Sequence, residues 1–270
     1  MGKDNEEDWM LTNNVCFSNS NGCVLWHGKQ VVDTDEFSSY LCGPVRDRLI
    51  DQEGTQQYES DLNALATTGM AIDTLKELLL GEEQQREPWE IGEALAECLL
   101  EEEYGVKWPW NTERDKRTPK ASLPGADLIG FIKVDGQMLL LVGEVKTSND
   151  TSNPPNVMYG RSGMIHQLDQ LASNLCVHHC LLYWLYFRCK HTDLWTSFQE
   201  AVKIYLQSRG RALALFGILL RDTTPNYLDL KNRAETLSRD LVVPTKAELY
   251  AWYFPAPISA WSSLVAGGDI

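Results

Sequence analysis

Three residues in the middle of the chain have the types and spacing needed to bind a divalent cation and hydrolyse a phosphate ester. Asp127 precedes an apolar run, and Glu144-Val145-Lys146 closes the next apolar run seventeen residues later. Carboxylate oxygens are the ligands that Mg²⁺ and Mn²⁺ prefer, and a lysine beside them could orient an attacking water. A lone Glu-x-Lys is common by chance, so the interpretation depends on whether the fold brings the three residues together.

A predicted β-hairpin supplies the means of bringing them together. Asp135-Gly136 is a strong two-residue turn signal, and apolar residues fill 128–134 before it and 138–145 after it. Alternate side chains of a strand share a face, so Glu144 and Lys146 project together while Val145 packs on the opposite side. The alternative for the same residues is a solvent-exposed strand end with an ordinary Asp–Lys ion pair.

The rest of the chain reads as helices and strands around this hairpin. Residues 181–187 are apolar and aromatic, and periodicity alone leaves a strand and a buried helix both open. We predict an α/β fold, bordering on α+β, with an acidic, partly helical region at 1–85 and the main domain at 86–270. The predicted helices are 46–53, 60–80, 88–104, 160–174, 193–208 and 227–239, and the predicted strands are 24–26, 30–32, 212–220 and 248–254.

Charge is distributed very unevenly along the chain. The net charge is −14, with −17 in residues 1–103 (23 acids against 6 bases) and +3 in residues 104–270 (15 against 18). The simplest interpretation of the front third is a solvated acidic surface, and the alternative is a surface that repels DNA or docks a basic partner. Weak intrinsic DNA affinity follows in either case, because phosphate neutralisation supplies most non-specific binding.

Composition also indicates where the protein works. No apolar run is long enough to span a bilayer, and the acidic N-terminus has no apolar signal core. Seven cysteines without a small-domain framework are typical of reduced thiols. We therefore predict a cytoplasmic protein that does not bind membranes.

The central motif resembles the signature of the PD-(D/E)XK nuclease superfamily. The matching residues are Pro124-Gly125-Ala126-Asp127, the hairpin and Glu144-Val145-Lys146, with Pro and Asp separated by two residues. The resemblance implies a central mixed sheet flanked by helices and metal-dependent cleavage of DNA. It assigns Mg²⁺ (or Mn²⁺) to Asp127 and Glu144, and the attacking water to Lys146.

Many members of the superfamily add a glutamate from a helix before the hairpin. The helix predicted at 89–104 has an acidic strip, and two of its members, Glu93 and Glu97, are candidates for the metal site. Helix geometry does not choose between them, and we prefer Glu93 because Gly92 beside it permits close approach. The whole strip is Glu90, Glu93, Glu97 and Glu101.

Three further residues are candidates for contacts with the nucleic acid. Several lineages of the superfamily place a polar residue near the phosphate from the helix after the hairpin, a place that Gln167 occupies here. Lys116 and Arg117 lie in a basic, tryptophan-rich segment at 105–124, where Trp108 and Trp110 could stack on bases or simply anchor the loop.

The wider layout is similar to the HamA-type nuclease of the Hachiman anti-phage defence system. The shared pattern is an acidic helical front, a Gly-Glu-Ala-Leu helix at 92–95, PGADLIGF, GEVK and a closing strand that ends in WYFPAP. It implies a DNA-degrading effector that a helicase partner restrains until infection. The alternatives are a catalytically silent assembly subunit and a restriction-type endonuclease, although no basic recognition helix is evident.

Overall fold

A computed structural model describes residues 10–79, 86–115 and 125–268 of the chain. The first elements are an antiparallel pair, β1 (Asn13–Asn21) and β2 (Val24–Val31), joined at Gly22. We predicted two short strands at 24–26 and 30–32, but the chain forms one continuous strand there. Its other edge pairs with a strand from the C-terminal end of the chain, a long-range contact that the local sequence does not reveal.

A series of helices follows. Asp33 caps α1 (Thr34–Tyr40) by accepting a hydrogen bond from the backbone N–H of Glu36 at 2.9 Å. A π-helical turn (Leu41–Val45) leads to α2 (Arg46–Leu49), and then come α3 (Gln52–Leu65) and α4 (Gly69–Leu79). The helical character predicted for 46–53 and 60–80 is confirmed, but the bounds are not, because the chain breaks at 50–51 and 66–68 and α3 already begins at Gln52. Helix α1 was not predicted.

The long helix α5 (Pro88–Tyr104) has strong signals at both ends. Glu87 and Glu90 form a reciprocal capping box, Pro88 occupies the first turn, and Gly105 ends the helix with a left-handed φ of 61°. Its apolar face is buried from Ile91 to Leu100, which fixes the helix against the sheet. A short helix, α6 (Thr112–Asp115), follows.

The predicted hairpin is confirmed. Strand β3 (Leu128–Val134) and strand β4 (Gln137–Ser148) pair antiparallel, and Asp135 and Gly136 both take positive φ at the turn, 49° and 80°. The strands are almost wholly buried, which explains why their sequences are continuous apolar runs.

Three consecutive helices follow the hairpin, and after them strands and helices alternate. The elements are α7 (Met164–Ser173), α8 (Leu175–Cys189), α9 (Trp195–Gln207), β5 (Leu213–Arg221), α10 (Lys231–Asp240), β6 (Lys246–Tyr253) and α11 (Trp261–Val265), with short 3-10 turns at Asn156–Met158, Tyr227–Asp229 and Ile258–Ala260. Residues 181–187 therefore belong to a helix.

The six strands of the described residues form one mixed sheet in the order β1-β2-β6-β5-β4-β3. The four central strands are parallel to one another, and an antiparallel strand lies at each edge. Helices α1, α5 and α11 cover one face, and α7 to α10 cover the other. This arrangement confirms the α/β fold class. The domain boundary at residue 85 stays a prediction.

None of the helices in the described ranges combines the length and apolar character needed to cross a membrane.

Candidate active site

The hairpin brings the two acids of the central motif into contact. Leu128 pairs with Gly143, so Asp127, immediately before β3, lies beside Glu144. The Asp127 Oδ2 atom accepts a hydrogen bond from the backbone N–H of Val145 at 2.9 Å, which holds the Asp127 carboxylate next to Glu144. The chain has therefore placed two carboxylates at the open end of the hairpin.

Lys146 completes this group. Its Nζ atom donates to Glu144 Oε1 in an ion pair, with the glutamate side chain 2% exposed and the lysine side chain 19% exposed. Burial raises the pKa of Glu144, the negative charge of Asp127 raises it further, and the Lys146 ammonium opposes the rise. A carboxylate pair with one ammonium keeps an excess of negative charge that favours a cation.

Glu93 approaches this group from α5. At Gly92 the helix lies so close to β4 that an added Cβ would come within 2.1 Å of Thr147 Oγ1, so a larger residue would force the Thr147 side chain to move. Burial raises the pKa of Glu93 to about 9, and the charges of Asp127 and Glu144 add to the rise. The structure thus brings Glu93 into electrostatic range of the hairpin acids.

Glu97, the other candidate on this helix, has a different partner. Its Oε2 atom accepts a hydrogen bond from Arg48 at 3.0 Å, and its Oε1 atom is buried without a hydrogen-bond partner in the described part of the chain. Burial raises the pKa of Glu97 to about 7, against the opposing effect of Arg48. Sequence reasoning missed Arg48, because an ion pair across 49 residues leaves no local signal.

Gln167 lies on the helix that covers the opposite face of β4. Glu144 pairs with Gly217 of β5, where an added Cβ would meet Leu168 Cδ1 at 2.9 Å and Met164 Sδ at 3.1 Å. Helix α7 therefore packs closely against the sheet beside Glu144. Gln167 is half-buried on this helix, and its Oε1 atom is buried without a hydrogen-bond partner among the residues described.

The other residues that we predicted to contact nucleic acid lie in the segment between α5 and the hairpin. Lys116 and Arg117 lie outside the described residues, as does Pro124 of the central motif. Trp110 is buried and donates from its indole Nε1 to the Ile129 carbonyl at 2.9 Å, so it anchors the loop and does not stack on bases.

The sequence model of the HamA family matches residues 4–159, which is 156 of the 270 residues and includes α5 and the whole hairpin. The chain belongs to the HamA family. No curated protein matches it. Membership links this chain to the Hachiman anti-phage defence system and implies protein partners within that system.

The donor set of this HamA-family chain fits a hard divalent cation. Within residues 10–79, 86–115 and 125–268, no three carboxylate, imidazole or thiolate groups stand close enough to hold a metal ion as they are placed. Mg²⁺, however, is usually bound by one or two carboxylates, with waters and substrate phosphates completing its shell. Asp127 and Glu144 meet that requirement, and Glu93 stands behind them.

A buried arginine that sequence reasoning missed organises the chain after β4. Arg221 ends β5 with its side chain wholly buried, pairs with Asp229 at 2.6 Å and donates to the backbone carbonyl oxygens of Asp150 and Ser152. The contacts fix the loop that leaves the Glu144 end of the sheet. The signal was an arginine closing an otherwise uncharged strand, since a buried charge requires a partner.

Proposed function

We propose that this chain is a divalent-metal-dependent nuclease that hydrolyses DNA phosphodiester bonds as a partner-regulated effector of anti-phage defence. The observation that carries the proposal is the placement of Asp127 beside Glu144, with the ion pair of Glu144 and Lys146, at the open end of the hairpin. Membership in the HamA family supports the defence context.

We also propose a PD-(D/E)XK-like core for this domain. The support is a mixed sheet with the motif acids on an antiparallel hairpin, α5 on one face and α7 on the other. Glu93 then takes the place of the helix glutamate, and Gln167 that of the polar residue near the phosphate.

Each residue of the site has a role in this proposal. Asp127 and Glu144 hold Mg²⁺ or Mn²⁺, which lowers the pKa of a bound water and neutralises charge on the phosphoryl oxygens. The Val145 N–H fixes the Asp127 carboxylate, and Glu144 holds the Lys146 ammonium, which orients the attacking water. Glu93, whose pKa is raised to about 9 by burial and by its acidic neighbours, would lose its proton beside a bound cation and would then add negative charge behind the two ligands.

The regulatory part of the proposal concerns the acidic front. Residues 1–103 carry a net charge of −17 that repels DNA, so the intrinsic affinity of the chain for DNA is weak. We propose that a protein partner, a helicase in the Hachiman system, restrains the nuclease and releases it on infection.

The decisive test is cleavage by purified protein with Mg²⁺, Mn²⁺ or EDTA, on plasmid and on single-stranded DNA. Wild-type protein should cleave only with metal, and Glu144→Ala with Lys146→Ala should lose activity by about a thousandfold or more. Glu59→Ala with Lys76→Ala is the matched control, because it removes the same charges from α3 and α4.

Two results would contradict the proposal. An unchanged rate in the Glu144/Lys146 variant would remove these residues from the mechanism. If wild-type protein neither cleaves DNA in the presence of its defence-system partners nor binds Mn²⁺, the chain is a silent assembly subunit.

A further inference from the structure

Helices α3 and α4 form an arm with almost no core of its own. Of the 14 residues of α3 none is buried, and of the 11 residues of α4 only Leu75 is buried. Helices of this length are marginal in water, and most helices in proteins are stabilised by packing an apolar face. The described chain gives this arm very little to pack against.

The arm nevertheless exposes large apolar side chains. Tyr58 is 57% exposed, Leu65 is 74% exposed, Met70 is 82% exposed and Leu78 is 67% exposed. Single exposed apolar residues are normal on protein surfaces, but several on two adjacent helices are typical of an interaction surface. The arm therefore has the composition of one half of an interface.

A groove runs between α3 and the segment that follows α5. Two cavities of about 720 and 490 Å³ adjoin each other and share Asp51, Glu53 and Arg114. Gln57, Tyr58 and Asp61 of α3 line the smaller cavity, and Trp108, Pro109 and Trp110 line the larger one. The groove therefore has an apolar wall facing a polar helix.

The charges on the groove select its occupant. Among the residues that the structure describes, the two cations that line the groove are already paired, Arg48 with Glu97 and Glu101, and Arg114 with Asp51 at 2.6 and 2.8 Å. A surface with this excess of acids repels nucleic acid, and it equally repels the same acidic surface of a second copy. The acids in the described part of the walls are Asp47, Asp51, Glu53, Asp61, Glu101 and Glu102.

We infer that this groove and the arm beside it bind a segment of a partner protein that carries both basic and apolar side chains. The basic groups meet the acids of the groove, and the apolar groups cover Tyr58 and its exposed neighbours on the arm. The inference concerns binding alone and stands whether or not the chain is a nuclease. It extends the proposed function by assigning a surface and a chemistry to the partner.

The test is photo-crosslinking of the full-length chain in its native host. The photoreactive residue p-benzoylphenylalanine replaces Tyr58 in the groove or, as a control, Tyr227, which is 50% exposed and lies between β5 and α10. Mass spectrometry then maps the captured peptide. We expect the Tyr58 position alone to capture a protein, at a peptide with a net positive charge and apolar residues.

Charge-reversal variants show whether the groove itself is responsible. Glu53→Lys with Asp61→Lys should reduce the crosslink about tenfold, because both acids are exposed in the groove walls. Glu200→Lys with Asp240→Lys changes the net charge equally on another surface and should have no effect. Glu53→Gln with Asp61→Asn should give a smaller loss in the same direction.

Several outcomes would overturn the inference. They are capture of a second copy of this chain, capture of nucleic acid, capture of an acidic peptide, the same capture at Tyr227, an equal loss in both reversal variants and no capture at all. None of these depends on DNA cleavage, so a failure here is distinguishable from a failure of the proposed nuclease.

Discussion

Helices α5 and α3 are both acidic, and the chain uses their acids in opposite ways. Helix α5 buries nine of its 17 residues, among them Glu97, and it places Glu93 beside the hairpin acids. Helix α3 buries none of its 14 residues and keeps Glu53 and Asp61 in solvent. The difference arises because α5 has a continuous apolar face and α3 does not.

Burial is what changes the chemistry of a carboxylate. A solvated glutamate keeps its ordinary pKa. A glutamate that loses its hydration and faces other anions has a raised pKa, because its negative charge is then stabilised only by binding a proton or a cation. Glu93, with a pKa raised to about 9, is in that state. We therefore assign catalysis to α5 and partner binding to α3.

The largest effect that would test this difference between α5 and α3 comes from neutralising one acid on each helix. Glu93→Gln should lower the rate of DNA cleavage by about 10- to 100-fold, the usual effect of removing a group that supports metal ligands. Glu59→Gln on α3 should leave the rate unchanged. Single-turnover cleavage with Mg²⁺ measures both, and a loss in Glu97→Gln without one in Glu93→Gln would transfer the role to Glu97.

Alanine substitution of two glycines tests whether α5 is more tightly packed than the arm formed by α3 and α4. Gly92→Ala should lower the free energy of unfolding by about 1–3 kcal/mol, because its Cβ would lie 2.1 Å from Thr147 Oγ1 on a central strand. Gly69→Ala, at the first residue of α4, meets no heavy atom within 4 Å. This variant should keep its free energy of unfolding or gain up to about 1 kcal/mol of helix propensity.

Urea denaturation of both alanine variants measures these changes. Equal losses in the two would show that the arm is packed as tightly as α5, and the inference of a binding surface on the arm would lose its basis.

Metal binding should stabilise the α5 side of the molecule alone. At ten times its Kd, Mn²⁺ should add about 1.4 kcal/mol to the free energy of unfolding, since it binds only the folded site. Asp127→Asn with Glu144→Gln should abolish that gain, and Glu53→Gln with Asp61→Asn should retain it. A gain that survives in the Asp127/Glu144 variant would place the cation elsewhere.

The sequence predicts those parts of the molecule that short-range patterns encode. The turn at Asp135-Gly136 is local, so the hairpin and the contact of Asp127 with Glu144 follow from the residues between them. Glu93 and Glu97 lie four residues apart on the same strip of a helix, so periodicity cannot separate them. Their separation comes from Arg48, which tertiary packing alone brings to Glu97.

The sheet shows the same limit. The pairing of β2 with β6 joins Val24 to Ala247, and no local pattern encodes a contact across most of the chain. Residues 181–187 are apolar enough for either a strand or a helix, and packing of α8 against α9 decides for the helix. Long-range contacts thus determine what periodicity leaves open.

The smallest expected effect is on DNA binding, and it tests the difference in charge between residues 1–103 and the rest of the chain. Lys116→Ala with Arg117→Ala should weaken DNA binding more at low salt than at high salt, because each phosphate contact releases counterions. Two lost contacts would reduce the slope of log K against log salt by about 1.8 for duplex DNA. Fluorescence anisotropy across a salt series measures this slope.

The matched control for this pair is Lys190→Ala with Arg211→Ala, two exposed cations on another part of the described surface. If that pair changes the slope equally, DNA responds to total charge, and no particular segment of this acidic chain guides it. If only the Lys116/Arg117 pair changes the slope, a short basic segment overcomes the repulsion of the front third. Equal weakening at all salt concentrations would exclude a phosphate contact at Lys116 and Arg117.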